Sequence, residues 1–270
     1  MRAVSELPGV AGSLQLREME APVPGGNQAL VQTCAIGVCG TDHEIIRGEY
    51  GSAPGDAEFL VIGHESAGRI VSAPPDSGFS QGDWLVAMVR RPDPIPCSNC
   101  AVGEWDMCTN GLYVEHGIKG LHGFGREFYA AESTALVKGH ASLAQLNVLV
   151  EPASVVAKAW QHIDYLGARS SWRPRAVLVT GAGPIGLLAA LLGVQRGYQV
   201  HVLDQVDSGP KPALVAELGA TYHTGELRAI GREIDIVLEC TGAASLFFEV
   251  LTVVRPNGIV CLTGVSSGGS

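Results

Sequence analysis

The sequence predicts an α/β protein in two parts, an antiparallel β-barrel-like front half and a back half built on a doubly wound parallel sheet. Three observations carry that expectation. From Met1 to about Gly139, short apolar runs are broken again and again by Gly and Pro, as in small antiparallel sheets. From Arg175 onward, β-branched apolar runs alternate with helix-length segments, the signature of parallel strands joined by right-handed crossovers. The first of those runs ends in Gly181-Ala182-Gly183-Pro184-Ile185-Gly186, a G-x-G-x-x-G turn feeding a strand into a helix. The expected division is residues 1–153 and 154–270.

In the front half, Ala29 to Thr33, Phe59 to Ile62, Gly68 to Ser72 and Asp83 to Val89 read as strands. Pro74-Pro75-Asp76-Ser77-Gly78 reads as a turn. Around Leu143 to Leu166 the texture becomes helical: Pro152 suits a first helical turn, and Val155, Val156, Ala159, Trp160 and Ile163 recur at helical spacing. Next come a strand over Val177 to Thr180, a helix over Pro184 to Arg196, a strand over Val200 to Asp204 and a helix from about Pro212 to Leu218. A short run at Thr221 to His223 precedes a strand over Ile234 to Glu239, a helix over Ala244 to Val254 and a strand over Gly258 to Thr263. That makes about five strands where a complete dinucleotide-binding sheet has six. The sequence ends on Ser266-Ser267-Gly268-Gly269-Ser270, so a C-terminally incomplete sheet is expected, without its last helix and strand.

Composition bounds the function. The 270 residues are 46% hydrophobic, and mean hydropathy is +0.21, values of a well-buried globular protein. No apolar run is long enough to cross a bilayer, and Met1-Arg2-Ala3-Val4-Ser5-Glu6 has no apolar leader core. Net charge is −9, from 27 acidic and 18 basic residues, which argues against nucleic acid as a partner. Seven cysteines are an odd number for a disulfide framework, so reduced thiols, metal ligation and a cytoplasmic setting are expected.

Each glycine of the turn has a physical task. Gly181 makes the tight turn, Gly183 lets backbone approach a pyrophosphate, and Gly186 lets the helix pack closely on the strand. The free N–H groups of the helix start then face the phosphates. Asp204 closes the run Gln199 to Leu203, where a carboxylate holds an adenine ribose hydroxyl. Thr241-Gly242 follows the Ile234 to Glu239 strand, at the carboxyl edge where such sheets bind ligands. The competing reading is a purely structural strand-turn-helix.

Cys39, the pair His64-Glu65 and Glu151 offer sulfur, imidazole and carboxylate from separate loops, a mixed donor set that suits zinc with one position open. A buried thiol and a capped histidine are the bland alternative. Cys34, Cys240 and Cys261 lie in apolar runs and read as small core residues. His43, His116, His122 and His162 read as surface or packing histidines rather than ligands.

Gly37-Val38-Cys39-Gly40-Thr41-Asp42, then Gly63-His64-Glu65, then Gly181 to Gly186, in this order, resemble the zinc-dependent medium-chain alcohol and polyol dehydrogenases along nearly the whole chain. Val89-Arg90-Arg91-Pro92, the run from Gly111 to Ile118, His122-Gly123-Phe124 and Glu151 to Val156 are most similar to the glucose dehydrogenase branch. The resemblance implies a GroES-like catalytic domain followed by a Rossmann domain. It also implies a catalytic zinc on or near Cys39, His64 and Glu151, with Glu65 as an exchangeable ligand. Asp42 would hold the far ring nitrogen of His64, Thr41 would hydrogen-bond the reacting hydroxyl, and Glu115 would contact sugar hydroxyls, or stand as a solvated turn carboxylate. Zinc lowers the pKa of bound water from about 15.7 to about 7, and a coordinated alcohol responds similarly, so that hydride can leave the anomeric carbon for the nicotinamide and yield a lactone.

In the family a further lobe carries a structural zinc on four cysteines. Here Cys97, Cys100 and Cys108 are present, but Pro94 stands where the first would be, with Asp93 beside it as a substitute. The sequence leaves that lobe open between metal and no metal. Asp204, with Gln205-Val206 after it, repels a 2′-phosphate and favours NAD, while Lys211 is the nearest cation that would accommodate NADP. A polyol or L-threonine dehydrogenase is the alternative enzyme, and a non-catalytic cofactor- or zinc-binding homologue the alternative of another class. The full-length protein is expected to be a dimer or tetramer, and this 270-residue chain weakly active or inactive, with an exposed sheet edge.

Overall fold

The computed structural model describes residues 1–55, 57–231 and 233–264. They form two compact units, Met1–Glu151 and a second beginning at Pro152. Along the first unit run β1 (Arg2–Glu6), β2 (Gln15–Glu18), β3 (Gln28–Ile36), helix α1 (Gly40–Ile46), β4 (Leu60–Val61), β5 (Ser66–Ser72), β6 (Trp84–Ala87), β7 (Arg90–Arg91), β8 (Val114–His116), β9 (Gly120–Leu121), β10 (Phe128–Glu132) and β11 (Leu136–Lys138). Its main sheet is antiparallel throughout, in the order β10-β3-β5-β6-β11. Two small sheets, β2-β1-β4 and β7-β8-β9, flank it in sequence.

The period of two decides which residues line the interior. On β3, Ala29 and Val31 are buried while Gln32 is exposed. With Ile70, Leu85, Phe124 and Tyr129 they make the core of this unit. The strands expected at Ala29 to Thr33, Phe59 to Ile62, Gly68 to Ser72 and Asp83 to Val89 are β3, β4, β5 and β6.

Helix α2 (Val150–Gly167) begins after a 3-10 stretch, Ala141–Leu149, whose Ala144 has φ of 47°, so the helical texture from Leu143 onward is two elements rather than one. Val156, Ala159, Trp160 and Ile163 of α2 are buried in the second unit's core. There follow β12 (Ala176–Thr180), α3 (Pro184–Gln195), β13 (Gln199–Leu203), α4 (Pro210–Glu217), β14 (Thr221–His223), β15 (Ile234–Glu239), α5 (Ala244–Val250) and β16 (Val254–Leu262). The strands lie in the order β14-β13-β12-β15-β16, every neighbouring pair parallel. Buried on both faces, β12 reads as a near-continuous apolar run, while β15 buries Asp235 and Glu239 among its apolar residues.

The last helix departs from expectation. It ends at Val250 rather than Val254, and the Thr252 hydroxyl donates back to the Glu249 carbonyl at 2.7 Å. Strand β16 starts earlier than Gly258, but its ladder jumps from Ile234↔Val254 to Ile236↔Ile259. Pro256 has no N–H to give, and Asn257 sits at φ +67°, so the residues between cannot pair. Cys240 and Cys261 pack against the core. Cys34 does not; it is half-buried and lines an apolar cavity of about 510 Å³ in the first unit.

Candidate metal and cofactor sites

Cys39 caps the start of α1, and its backbone N–H donates to Asp42 Oδ2 at 3.0 Å. His64 lies between β4 and β5, 5% exposed. Its Nε2 is 3.2 Å from Cys39 Sγ, and its Nδ1 faces Asp42 Oδ1 at 3.5 Å. Neither Nδ1 nor that Oδ1 has another partner. Asp42 therefore ties the Cys39 backbone to the imidazole and fixes both. Glu65 completes the group: one ligand atom each from Cys39, His64 and Glu65 lie within 4.8 Å of one another. Gly37 makes this possible, since a Cβ there would stand 2.0 Å from Glu65 Oε2.

The charges in this group are crowded. Burial pushes the Glu65 carboxyl up, as it does that of Glu151, where the charges of Glu65, Asp42 and Glu115 add to the effect. Burial alone would push His64 down, but its bonds to Asp42 and Cys39 outweigh it and raise the imidazole to about 10. A thiol, an imidazole with its second nitrogen anchored, and carboxylates short of positive charge fit a zinc ion. Glu151 is not within the 4.8 Å group, although its carboxyl feels the charges of His64, Glu65 and Asp42. Thr41 is half-buried beside Asp42 on α1.

Glu115 on β8 is 8% exposed. Its Oε1 takes both Nε and Nη2 of Arg90, each at 2.9 Å. It is thus a held, buried carboxylate and not a solvated one. Arg90 stands in the quoted Val-Arg-Arg-Pro run, yet nothing in its spacing marks it as the partner of Glu115.

The Sγ atoms of Cys97, Cys100 and Cys108 also lie within 4.8 Å of one another. Hydrogen bonds from the backbones of Cys100 and Thr109 pull the Cys97 thiol down to about 6. Among the described residues no fourth ligand atom joins them. Asp93 is buried, with Oδ1 accepting the Ile95 N–H at 2.8 Å and Oδ2 without a partner. The expected histidines are packing or surface groups: His116 Nδ1 bonds the His122 carbonyl at 2.8 Å, His122 Nδ1 accepts from Val61, His162 meets Tyr165 edge-on, and His43 is exposed.

In the second unit, Gly181 turns at φ +90° and its N–H bonds the Leu203 carbonyl at 2.7 Å. A Cβ on Gly186 would stand 1.8 Å from the Gly181 carbonyl oxygen, so the close helix-strand approach requires glycine there. At Gly183 a Cβ would meet no atom within 4 Å, and φ of −80° suits any residue. The protein itself does not demand glycine at 183, and the space in front of it is open. Pro184 and Ile185 start α3, whose free N–H groups face the same end. Asp204 Oδ2 accepts the Ala182 N–H at 2.7 Å, Oδ1 accepts the Val206 N–H at 2.9 Å, and Lys211 Nζ reaches both oxygens at 2.9 and 3.1 Å. These partners hold the Asp204 carboxyl below the usual range against the upward push of burial. Gln205 follows it, while Thr241 and Gly242 lie at the carboxyl edge, just beyond β15. These residues fit a dinucleotide.

Residues 25–141 match the family described as "Alcohol dehydrogenase GroES-like domain", and residues 144–270 the one described as "Glucose dehydrogenase C-terminus". The chain is 37% identical to glucose 1-dehydrogenase of Methanocella arvoryzae, over 98% of this chain and 76% of that protein. It is 41% identical to glucose 1-dehydrogenase 1 of Vulcanisaeta moutnovskia, again over 98% and 76%. Haloferax mediterranei glucose dehydrogenase, solved with NADP, Zn and gluconolactone, superposes with a TM-score of 0.90 at 33% identity, covering 100% of this chain and 78% of that one.

Proposed function

The chain belongs to the glucose dehydrogenase branch of the zinc-dependent medium-chain dehydrogenases, and we infer that it oxidises glucose to the lactone with NAD(P) as hydride acceptor. The observation that carries this is the meeting of Cys39, His64 and Glu65 ligand atoms within 4.8 Å. Zinc bound there acts as a Lewis acid that makes the substrate hydroxyl easier to deprotonate.

The roles of individual residues are our proposal. Cys39, His64 and Glu65 hold the zinc, and Glu151 stands by as the alternative ligand and substrate contact, its carboxyl already under the charge of His64. Asp42 keeps His64 in one orientation through the 3.5 Å approach to Nδ1. Thr41 hydrogen-bonds the reacting hydroxyl and passes its proton outward. Glu115, with Oε1 taken by Arg90, offers Oε2 to a sugar hydroxyl. Gly181, Gly183, Pro184, Ile185, Gly186, Thr241 and Gly242 receive the dinucleotide. Cys97, Cys100 and Cys108 supply three of the four ligands that a structural zinc takes.

NAD is the preferred acceptor in this reading, since Asp204 repels a 2′-phosphate; Lys211, paired with Asp204, makes NADP usable. Asp204→Ala is expected to raise kcat/KM for NADP relative to NAD by on the order of tenfold; an unchanged ratio contradicts the assignment. The exposed Phe248, Leu251 and Leu262 support assembly into a dimer or tetramer, and seven unpaired cysteines support a cytoplasmic setting. No helix among the described residues is long and apolar enough to cross a membrane.

The test is NAD and NADP reduction across glucose, galactose, sorbitol and threonine. Turnover of glucose is expected; turnover of sorbitol or threonine alone would replace the sugar reading, and binding without turnover on any substrate would replace the enzyme.

A further inference from the structure

We propose that Glu239 is a positioning residue for the dinucleotide: from beneath the carboxyl edge of the parallel sheet it clamps Thr241 against Gly181, the first glycine of the phosphate-facing turn. The inference rests on the reading of that turn as the NAD(P) site.

Glu239 ends β15 and is 3% exposed. A carboxylate only accepts hydrogen bonds and has room for about four, and this one takes four. Oε1 accepts the Thr241 N–H at 2.7 Å, the Thr180 hydroxyl at 3.3 Å and the Thr241 hydroxyl. Oε2 accepts the Gly242 N–H at 3.1 Å. The backbone carbonyl of the same residue accepts from Thr263 and Gly264, beyond the end of β16. One residue thus joins the carboxyl ends of β12, β15 and β16, three neighbouring strands.

The clamp bears on the glycine turn through Thr241. A Cβ on Gly181 would lie 2.9 Å from Thr241 Cγ2, so the Thr241 methyl fills the space that a side chain at 181 would need. With the hydroxyl and N–H of Thr241 both bound to Glu239, that methyl cannot withdraw. The Thr241 hydroxyl also accepts the Ala243 N–H at 3.0 Å, which carries the constraint into the start of α5. A glutamine at 239 keeps the shape but turns an amide NH2 toward donors that need an acceptor. The loop after β15 then loosens, and the glycine turn loses the wall that sets its position.

The experiment uses the zinc-loaded full-length protein. Dissociation constants of NADH and NADPH are measured by nicotinamide fluorescence, alongside melting temperature, KM and kcat on glucose, for the parent, Glu239→Gln, Thr241→Val and the double variant. Glu239→Gln is expected to weaken both dinucleotides by about tenfold, to raise the dinucleotide KM similarly, and to leave the glucose KM and most of kcat intact. Thr241→Val keeps a methyl but loses the hydroxyl, and moves in the same direction. The double variant binds no worse than Glu239→Gln alone, because both remove one linkage. If Glu239→Gln does not fold, Thr241→Val carries the test on the same dissociation constants. A folded variant with parental affinity for both dinucleotides, or a fall in melting temperature with no change in affinity, overturns the proposal. A parent chain that binds neither dinucleotide overturns the cofactor site itself.

Discussion

His116 shows how a single side chain on this fold sets a pH response. Burial against Phe124, reinforced by the charges of Arg91, Arg126 and His122, pushes its imidazole down to about 4, although the His122 carbonyl accepts its N–H. The unfolded chain takes up that proton near pH 6.5, whereas the folded chain refuses it until about pH 4. Its contribution is therefore present in full above pH 6.5 and is lost as pH falls through that window, by up to about 3 kcal/mol at ~1.4 kcal/mol per unit. His116→Gln is expected to flatten the acid limb of a urea-melt series between pH 6.5 and 4; an unchanged slope contradicts the assignment. At this scale the sequence was legible where chemistry is rare. Cys39, the pair His64-Glu65 and Glu151 stood out by type and order, and Asp42 came with them through the resemblance. Glu239 and Arg90 did not, because a glutamate closing an apolar run and an arginine in a turn carry no sign of what they will hold until the strands are side by side.

Among the elements, the strand-turn-helix from β12 into α3 separates structural from ligand-driven glycine. Gly186→Ala places a methyl 1.8 Å from the Gly181 carbonyl oxygen and is expected to cost about 1–3 kcal/mol. Gly183→Ala meets nothing within 4 Å; it is expected to melt within about 1 kcal/mol of the parent yet bind NAD(P) markedly more weakly. Thermal melts paired with dinucleotide titrations check both, and equal stability losses in the two variants contradict the distinction. The central back-half strand could be read nearly to the residue, as β12 at Ala176–Thr180 illustrates, because a parallel strand buried on both faces leaves a near-continuous apolar run. The front half was less legible. β7 and β9 are two residues each, too short for any period, and exist because partners elsewhere in the chain fix them. The break in β16 came from Pro256 and Asn257, whose effect depends on register against β15.

For the molecule as a whole, the metal content separates its two thiol-bearing clusters. Zinc per chain after thiol-free dialysis is expected near one, held by Cys39, His64 and Glu65; a value near two would mean that Cys97, Cys100 and Cys108 recruit a fourth ligand. The change of fold from an antiparallel to a parallel sheet was legible because the sequence passes from short broken runs to strand-helix alternation. The choice of Glu65 over Glu151 as the near carboxylate was not, since it depends on Gly37 leaving room for that side chain. The most direct test of the central claim is glucose-dependent NAD(P)H formation by the full-length protein stripped of metal and then given one equivalent of zinc, with Cys39→Ser alongside. No turnover is expected when stripped, recovery with zinc in the parent, and none in Cys39→Ser; full turnover in the stripped protein, or recovery in the variant equal to the parent, would contradict the assignment.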